Sequence, residues 1–297
     1  MITKPKLIAV IGTTASGKSS LGIEIAERTD GEVVSADSRQ IYIGLDLGTG
    51  KVTAAETRGV PHHLLDIISP NEPFSVSDYQ TLAYEAIDDI VARGKTPVLV
   101  GGTGLYSRAV TDGYSLSGDA PDESLRAELN AKPLEELWEI LRSKGIPIAE
   151  PDNKRRVVRQ IERSMSGDVE TAPSEPRYDV LKLGLIYPRD VLRRRIEERL
   201  DLRLAAGMVD EVRSLKEAGA TNEFLEGLGL EYRYTNRYLN GEYADFDEYR
   251  STLLTKICQF AKRQETWYKK EENCIWLDVS RDPVAQSMQY VNDFMKA

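Results

Sequence analysis

The first third of the chain alternates short apolar runs with segments of helical period. Leu7–Ile11 is a continuous apolar run that stops at Gly12, the pattern of a strand buried on both faces. From Ser19 to Arg28 the apolar positions Leu21, Ile25 and Ala26 fall at helical spacing, and Glu32–Ala36, with its paired valines, reads as a second strand. Tyr79–Arg93 carries Leu82, Ala83, Ala86, Ile87 and Ile90 on one stripe, and Gly94 ends it. Pro97–Val100 is a third strand, closed by Gly101 and Gly102. Strands alternating with helices predict an α/β fold with a parallel sheet and right-handed crossovers.

The pattern then changes. Between Asp119 and Gly167 it is helical, with amphipathic stretches at Leu134–Leu141 and Val157–Met165 and no convincing strand. Asp168–Arg177 holds Pro173, Ser174 and Pro176 and reads as a loop. Strand character returns at Leu181–Tyr187, one long helix is expected over Arg189–Leu215, and a last strand at Ile275–Leu277. The simplest organisation is an α/β core of residues 1–118 and 179–297, interrupted by a small helical insertion at 119–178.

Length and composition fit that picture. A chain of 297 residues suits one large domain or a core with an insertion. Its 41 % hydrophobic and 29 % charged residues are those of an ordinary soluble protein. No apolar run is long enough for a transmembrane helix. Two cysteines, Cys258 and Cys274, fit a reducing compartment and exclude a disulfide scaffold, so a cytoplasmic protein is expected. A net charge of −9 argues against a generally basic surface, but nucleic-acid binding needs only a local patch. Residues 152–163 carry five basic side chains (Lys154, Arg155, Arg156, Arg159, Arg163) against two acidic ones (Asp152, Glu162), a local +3. A solvated helix face and a contact surface both account for it.

The chemistry is concentrated at the end of the first strand. Gly12-Thr13-Thr14-Ala15-Ser16-Gly17-Lys18-Ser19 matches the phosphate-loop pattern, with a strand before it and a helix after. Its glycines let backbone N–H groups converge on phosphate, and the helix N-terminus adds positive potential. Lys18 is expected to neutralise phosphate oxygens and Ser19 to sit on Mg²⁺. The fold class is therefore a P-loop NTPase-like core with a helical insertion. The motif specifies a di- or triphosphate site without naming the reaction. A nucleotide hydrolase also carries an acid at the end of another core strand. Here that strand ends in Gly101-Gly102-Thr103-Gly104, which weakens the ATPase reading.

Asp37, at the tip of the second strand, is aimed at the same crevice, because ligands in such sheets lie beyond the carboxyl ends of the strands. A carboxylate there can take a proton from a substrate amine or hydroxyl, or can serve as a helix cap or outer metal ligand.

At this point the sequence resembles the tRNA dimethylallyltransferases. The resemblance runs in order through the phosphate loop, Asp37-Ser38-Arg39-Gln40-Ile41-Tyr42, Gly48-Thr49-Gly50-Lys51, Pro61-His62-His63-Leu64-Leu65-Asp66, Gly101-Gly102-Thr103-Gly104-Leu105-Tyr106, Arg155-Arg156-Val157-Val158-Arg159, Arg195-Ile196-Glu197-Glu198-Arg199 and Lys262-Arg263-Gln264-Glu265-Thr266-Trp267. It implies that the loop from Gly12 to Ser19 holds the diphosphate of dimethylallyl diphosphate. It also implies that Mg²⁺, Lys18 and Arg199 stabilise that group as it leaves, and that Thr103 contacts the bridging region. Asp37 is the implied general base for the exocyclic amine of the adenosine just 3′ of the anticodon. Further tRNA contacts are implied for Ser38, Arg39, Gln40, Arg126, Arg155, Arg156, Arg159, Lys262, Arg263 and Gln264. The chain departs from the family at Thr13, where proline is usual, and over Gly227–Arg233.

The chemistry agrees with those roles. An adenine amine is a poor nucleophile that a base can activate, and an allylic diphosphate ionises readily when its departing charge is stabilised. The base must also leave its stack to reach a buried carboxylate. The rivals are an adenylate isopentenyltransferase acting on free nucleotide and an ATP-dependent small-molecule kinase. His62 and His63, the only histidines, read as structural, closing a loop into a strand or turn at Leu65–Ile68. Trp267, Tyr232, Tyr234 and Tyr238 read as packing residues. A monomer is the default expectation.

Overall fold

The computed structural model describes residues 4–114, 122–148, 150–166, 175–271 and 273–297. Most of the loop expected at Asp168–Arg177 and the first residues of the expected insertion lie outside them. The chain divides into two compact units, Met1–Gly113 with Pro176–Ala297, and Tyr114–Glu175.

The larger unit is built on a six-stranded parallel sheet: β1 (Lys6–Gly12), β2 (Gly31–Ser35), β3 (His62–His63), β4 (Thr96–Gly101), β5 (Asp179–Ile186) and β6 (Cys274–Asp278). The strand order is β3-β2-β4-β1-β5-β6. β1 is central, paired with β4 on one side and β5 on the other. Its apolar run is continuous because both faces are covered. Ile8 and Val10 face α1 (Lys18–Arg28) through Leu21 and Ile25, with Leu277 and Val291 in the same cluster. Leu7 and Ala9 face α2 (Val76–Ala92) through Tyr79, Ala83 and Ile87, and α3 (Gly104–Thr111) through Tyr106 and Val110. Each buried aliphatic side chain in such a layer contributes about 1.5–3 kcal/mol relative to exposure. α2 starts at a capping box in which Ser75 and Asp78 satisfy one another's backbone N–H groups.

The helix expected over Arg189–Leu215 is two helices, α7 (Arg189–Ala205) and α8 (Met208–Glu217). The break is at Gly207, whose φ of +99° a helix interior cannot hold. Of the strand or turn expected at Leu65–Ile68 the structure has the turn, and a short strand at His62–His63, paired with Val33 and Val34, precedes it. Leu64 and Asp66 both have positive φ, and only an isolated bridge joins Tyr42 to Ile68. The histidines are structural, as expected: the His63 Nε2 lies 2.7 Å from the buried Glu32 carboxylate, which Arg93 also grips. Those partners hold Glu32 down to about 2.

The remaining helices of this unit are α9 (Asn222–Leu228), α10 (Leu230–Leu239), α11 (Phe246–Tyr268) and α12 (Pro283–Lys296). Leu192, Ile196 and Leu200 of α7 pack with Leu253, Ile257 and Ala261 of α11. The smaller unit contains α4 (Glu123–Ala131), α5 (Leu134–Ser143) and α6 (Lys154–Ser166). It has its own core of Leu129, Leu137, Leu141, Val157, Val158 and Ile161. Among the described residues no helix is long and apolar enough to cross a membrane.

Candidate active site

The parallel sheet places the carboxyl ends of β1, β2 and β4 beside one another, and three loops leave them into one cavity of about 370 Å³. Thr14, Lys18 and Ser19 come from the loop and helix after β1, Asp37, Ser38, Arg39 and Gln40 follow β2, and Gly101–Leu105 follow β4. Arg199 of α7, Glu231 of α10, and Phe260, Arg263, Gln264, Trp267 and Tyr268 of α11 complete the lining.

The phosphate loop is braced from behind by three residues distant in sequence. Arg195 Nε donates to the Ala15 carbonyl at 2.9 Å, and Arg199 Nη2 to Thr14 Oγ1 at 2.6 Å. These arginines are four apart, so they share one face of α7, while Leu192, Ile196 and Leu200 on another face pin the helix. Gln264 accepts from the Thr14 N–H at 2.9 Å and donates to the Gly102 carbonyl at 2.9 Å. It is buried and couples the β1 loop to the β4 loop. Its amide is thus engaged at both ends within the protein, on the Thr14 N–H and the Gly102 carbonyl.

The glycine run after β4 has a steric cause. A Cβ on Gly101 would stand 2.2 Å from the Ala36 carbonyl oxygen, and one on Gly102 would stand 3.2 Å from Lys18 Nζ. No side chain fits between the β4 tip and the β2 tip, and one at Gly102 would crowd the end of the lysine. Thr103, next along, accepts from the Ser38 N–H at 3.3 Å. Asp37 accepts from the Arg39 N–H at 3.0 Å, which fixes the turn after β2 with one carboxylate oxygen.

The cavity is electropositive. Two helix N-termini, those of α1 at Lys18 and α3 at Gly104, open on it. Burial, then the Arg199 charge, push the Lys18 ammonium down to about 8, while Asp37 pulls the other way. Burial, then Arg203, push Arg199 down to about 10. Two cations held against their own repulsion make a site that favours an anion. Among the described residues no three His, Cys, Asp or Glu side chains gather to hold a metal ion. The donor set instead fits a cation that arrives with its ligand: the Ser19 hydroxyl and diphosphate oxygens are the hard oxygen ligands Mg²⁺ prefers.

The sequence model of the IPP transferase family matches residues 40–271. The chain belongs to the IPP transferase family. It is 42 % identical over 296 residues to a tRNA dimethylallyltransferase 2 of Shewanella sediminis, covering 97 % of this chain and 98 % of that one. It is 39 % identical to a tRNA dimethylallyltransferase of an Exiguobacterium species, over 98 % of this chain and 96 % of that one. The crystal structure of a tRNA isopentenylpyrophosphate transferase from Bacillus halodurans superposes with a TM-score of 0.75 at 38 % identity, covering 99 % of this chain and 96 % of that one. A eukaryotic dimethylallyltransferase acting on tRNA superposes with a TM-score of 0.79 at 25 % identity, covering 98 % of this chain and 80 % of that one.

In this member of the IPP transferase family the structure brings eleven of the expected site residues to one cavity and leaves the others outside its lining. Thr14, Lys18, Ser19, Asp37, Ser38, Arg39, Gln40, Thr103, Arg199, Arg263 and Gln264 line one cavity. Lys262 lies on the exposed side of α11. Arg126, Arg155, Arg156 and Arg159 belong to the second unit. There Arg126 makes a bidentate pair with Glu162, at 2.6 and 2.8 Å, and Arg159 reaches the same carboxylate at 3.3 Å. Arg156 pairs with Glu150, and Arg155 is exposed. Sequence reasoning missed Arg195 as a brace, Arg203 and Glu231, and Glu211. The Glu211 carboxylate accepts from the N–H groups of Asp46, Leu47 and Gly48 at 3.1, 2.6 and 3.1 Å, and from the Tyr232 hydroxyl at 2.7 Å. It thereby ties down the turn whose Gly48, Thr49 and Gly50 line the cavity. Its only signal in the sequence is an acidic residue in the first turn of a helix, which has many other uses.

Proposed function

We propose that this protein transfers the dimethylallyl group of dimethylallyl diphosphate to the exocyclic N6 amine of the adenosine 3′-adjacent to the anticodon in tRNA, releasing diphosphate. The observation that carries the reading is the shared cavity: the Asp37 carboxylate at the β2 tip and the cations Lys18 and Arg199 line the same space. The curated relatives' names point to the same reaction.

The diphosphate lies on the phosphate loop between Gly12 and Ser19, with Lys18 and Arg199 on its oxygens. Ser19 would hold the Mg²⁺, which would supply further neutralisation of the leaving charge. As the carbon–oxygen bond breaks, the electron pair leaves with the diphosphate, and preorganised donors stabilise it without reorganising. The adenine N6 attacks the allylic carbon, and its proton passes to Asp37. Thr103, tied to Ser38, lies beside that line of transfer. A flipped adenosine enters past Arg39, Gln40 and Arg263. Outside the cavity, Lys262 and the arginines of α6 with Arg126 contact phosphates of the anticodon stem-loop. The cytoplasm, where tRNA is modified, is the place of this activity.

The test is transfer of radiolabelled dimethylallyl diphosphate to an unmodified anticodon stem-loop, with AMP and ATP as competing acceptors. Label should enter the RNA and fall by about 10²- to 10⁴-fold in Asp37→Asn. Label in free nucleotide would reassign the acceptor. ATP turnover with no prenyl transfer would replace the reaction with that of a kinase.

A further inference from the structure

The cavity that takes an anion also contains a second buried carboxylate that opposes it. Glu231 lines the cavity and is 5 % exposed. Its Oε2 lies 3.5 Å from Arg39 Nη1, and its Oε1 3.6 Å from Arg203 Nη1. Charge-assisted bonds of this kind close to about 2.7–2.9 Å when fully made. The carboxylate therefore sits between two guanidinium groups, with a long hydrogen bond to Arg39 and a looser ion pair to Arg203.

The arrangement is built at some cost. Leu230, immediately before Glu231, has a φ of +37°, a left-handed conformation that a leucine seldom adopts. Arg203 is confined further: the same Nη1 reaches the Gly48 carbonyl at 3.4 Å, and a Cβ on Gly50 would stand 1.5 Å from Nη2. The turn that walls the cavity is shaped around that guanidinium.

A cavity selected only for tight diphosphate binding would leave this carboxylate out, because its charge repels the ligand. The same charge acts on Arg199, whose proton it helps retain while burial and Arg203 act the other way.

We infer that Glu231 is a positioning residue that limits how long diphosphate stays: it shares Arg39 and Arg203 with the bound anion and takes them back when the anion leaves. The inference rests on the reading of the cavity as the allylic diphosphate site. With diphosphate present, Arg39 and Arg203 turn part of their donor capacity toward phosphate oxygens. Once transfer is complete, Glu231 competes for both cations and lowers the affinity for the product.

The sign of the effect separates this role from that of a plain structural brace. Glu231→Gln keeps the shape and removes one negative charge. The variant should bind inorganic pyrophosphate, with Mg²⁺ present, about tenfold more tightly, the scale of one charge at short range in a partly screened site. Its KM for dimethylallyl diphosphate should fall in step. Its kcat should fall too, with a burst of one turnover per site before a slower steady state. Arg203→Gln should weaken pyrophosphate binding, and the double variant should return to near the affinity of the wild type. A brace predicts the opposite: loosened guanidinium groups and weaker binding in Glu231→Gln.

Pyrophosphate titration by calorimetry, with product-inhibition kinetics beside it, decides. Equal or weaker binding by Glu231→Gln overturns the inference. A wild-type protein that binds neither pyrophosphate nor dimethylallyl diphosphate overturns the diphosphate reading itself, a separate result. If Glu231→Gln does not fold, the inference is read from Arg203→Gln alone, and unchanged pyrophosphate affinity there overturns it.

Discussion

The two arginine-rich regions of this protein handle charge in opposite ways. In the cavity, Lys18 and Arg199 are bound by neutral oxygens, the Thr13 carbonyl at 3.2 Å and the Thr14 hydroxyl at 2.6 Å. No carboxylate pairs with either among the described residues, and burial pushes both down from their ordinary values. In the smaller unit the arginines of α6 stand in solvent, and of the four expected to contact RNA, Arg126 of α4 and Arg156 and Arg159 of α6 are held by Glu162 or Glu150. The first arrangement stores unfavourable electrostatic energy that an anion relieves on binding. The second is partly paired and screened by salt, so any one contact there is worth little. Cations buried without counter-charge should carry the chemistry, and paired surface cations should tune recognition of a long polyanion.

Removing a cavity cation should therefore produce the largest effect. Lys18→Ala should lower kcat/KM for dimethylallyl diphosphate by about 10²- to 10³-fold, the cost of losing one preorganised donor to a developing charge. Folding should be little affected, since the lysine repels Arg199 in the empty site. A loss under tenfold would break the comparison by showing that the loop's backbone suffices.

The pH dependence follows from the same burial. Burial, then the Arg199 charge, push the Lys18 ammonium down to about 8, whereas a bound diphosphate favours its charged form. The lysine is charged below that pH and ready for the anion. Above it a proton must be taken up on binding, so affinity should fall by about tenfold per pH unit beyond 8, until the pKa of the complex is reached. Titrations from pH 7 to 9.5, corrected for the ionisation of the ligand, would show the break. Lys18→Arg should abolish it, and a flat profile in the unaltered protein would remove Lys18 from the anion's first contacts.

What could be read in the sequence follows a physical line. Strands buried on both faces and a phosphate loop are local patterns, so β1, β2 and β4 and the site at Lys18 were legible within a few residues. Asp37 was legible because a strand tip in such a sheet points at the ligand. The break at Gly207 was not, since one glycine inside a long helical pattern is compatible with either outcome until the tertiary packing decides. Gln264 was assigned to RNA by resemblance, yet its partners Thr14 and Gly102 lie 250 and 162 residues away. Glu211, Arg203 and Glu231 were illegible for the same reason. Their residue types are common on helix surfaces, and only the fold shows that Glu231 lines the cavity, that Arg203 lies against it and that Glu211 anchors the turn that forms part of the wall.

Glu211 offers a smaller test on the cavity side. Its carboxylate is the shared acceptor of three backbone N–H groups, so Glu211→Gln replaces charge-assisted bonds by weaker ones and turns an NH₂ toward at least one donor. A cost of about 1–3 kcal/mol is expected, read as a lower thermal midpoint. Because the turn it holds lines the cavity, KM for dimethylallyl diphosphate should rise a few-fold while kcat changes less. A loss of stability with unchanged KM would show that the Gly48–Gly50 wall keeps its position without the anchor.

The smallest effect is expected on the other side of the comparison. Arg155→Ala leaves every ion pair around Glu162 and Glu150 intact, because Arg155 takes part in none of them. If its guanidinium meets one RNA phosphate, the change removes about one counterion released on binding. The slope of log affinity against log salt should then shrink by about 0.7 to 0.9, with a few-fold rise in KM for the stem-loop at low salt. Affinity for dimethylallyl diphosphate should not move. Arg159→Ala should do less, since the Glu162 carboxylate already competes for that guanidinium at 3.3 Å and keeps its stronger bond to Arg126. If Arg159→Ala instead exceeded Arg155→Ala, the pairing with Glu162 would have to open on the RNA. The contrast between stored and neutralised charge would then be one of the empty protein only.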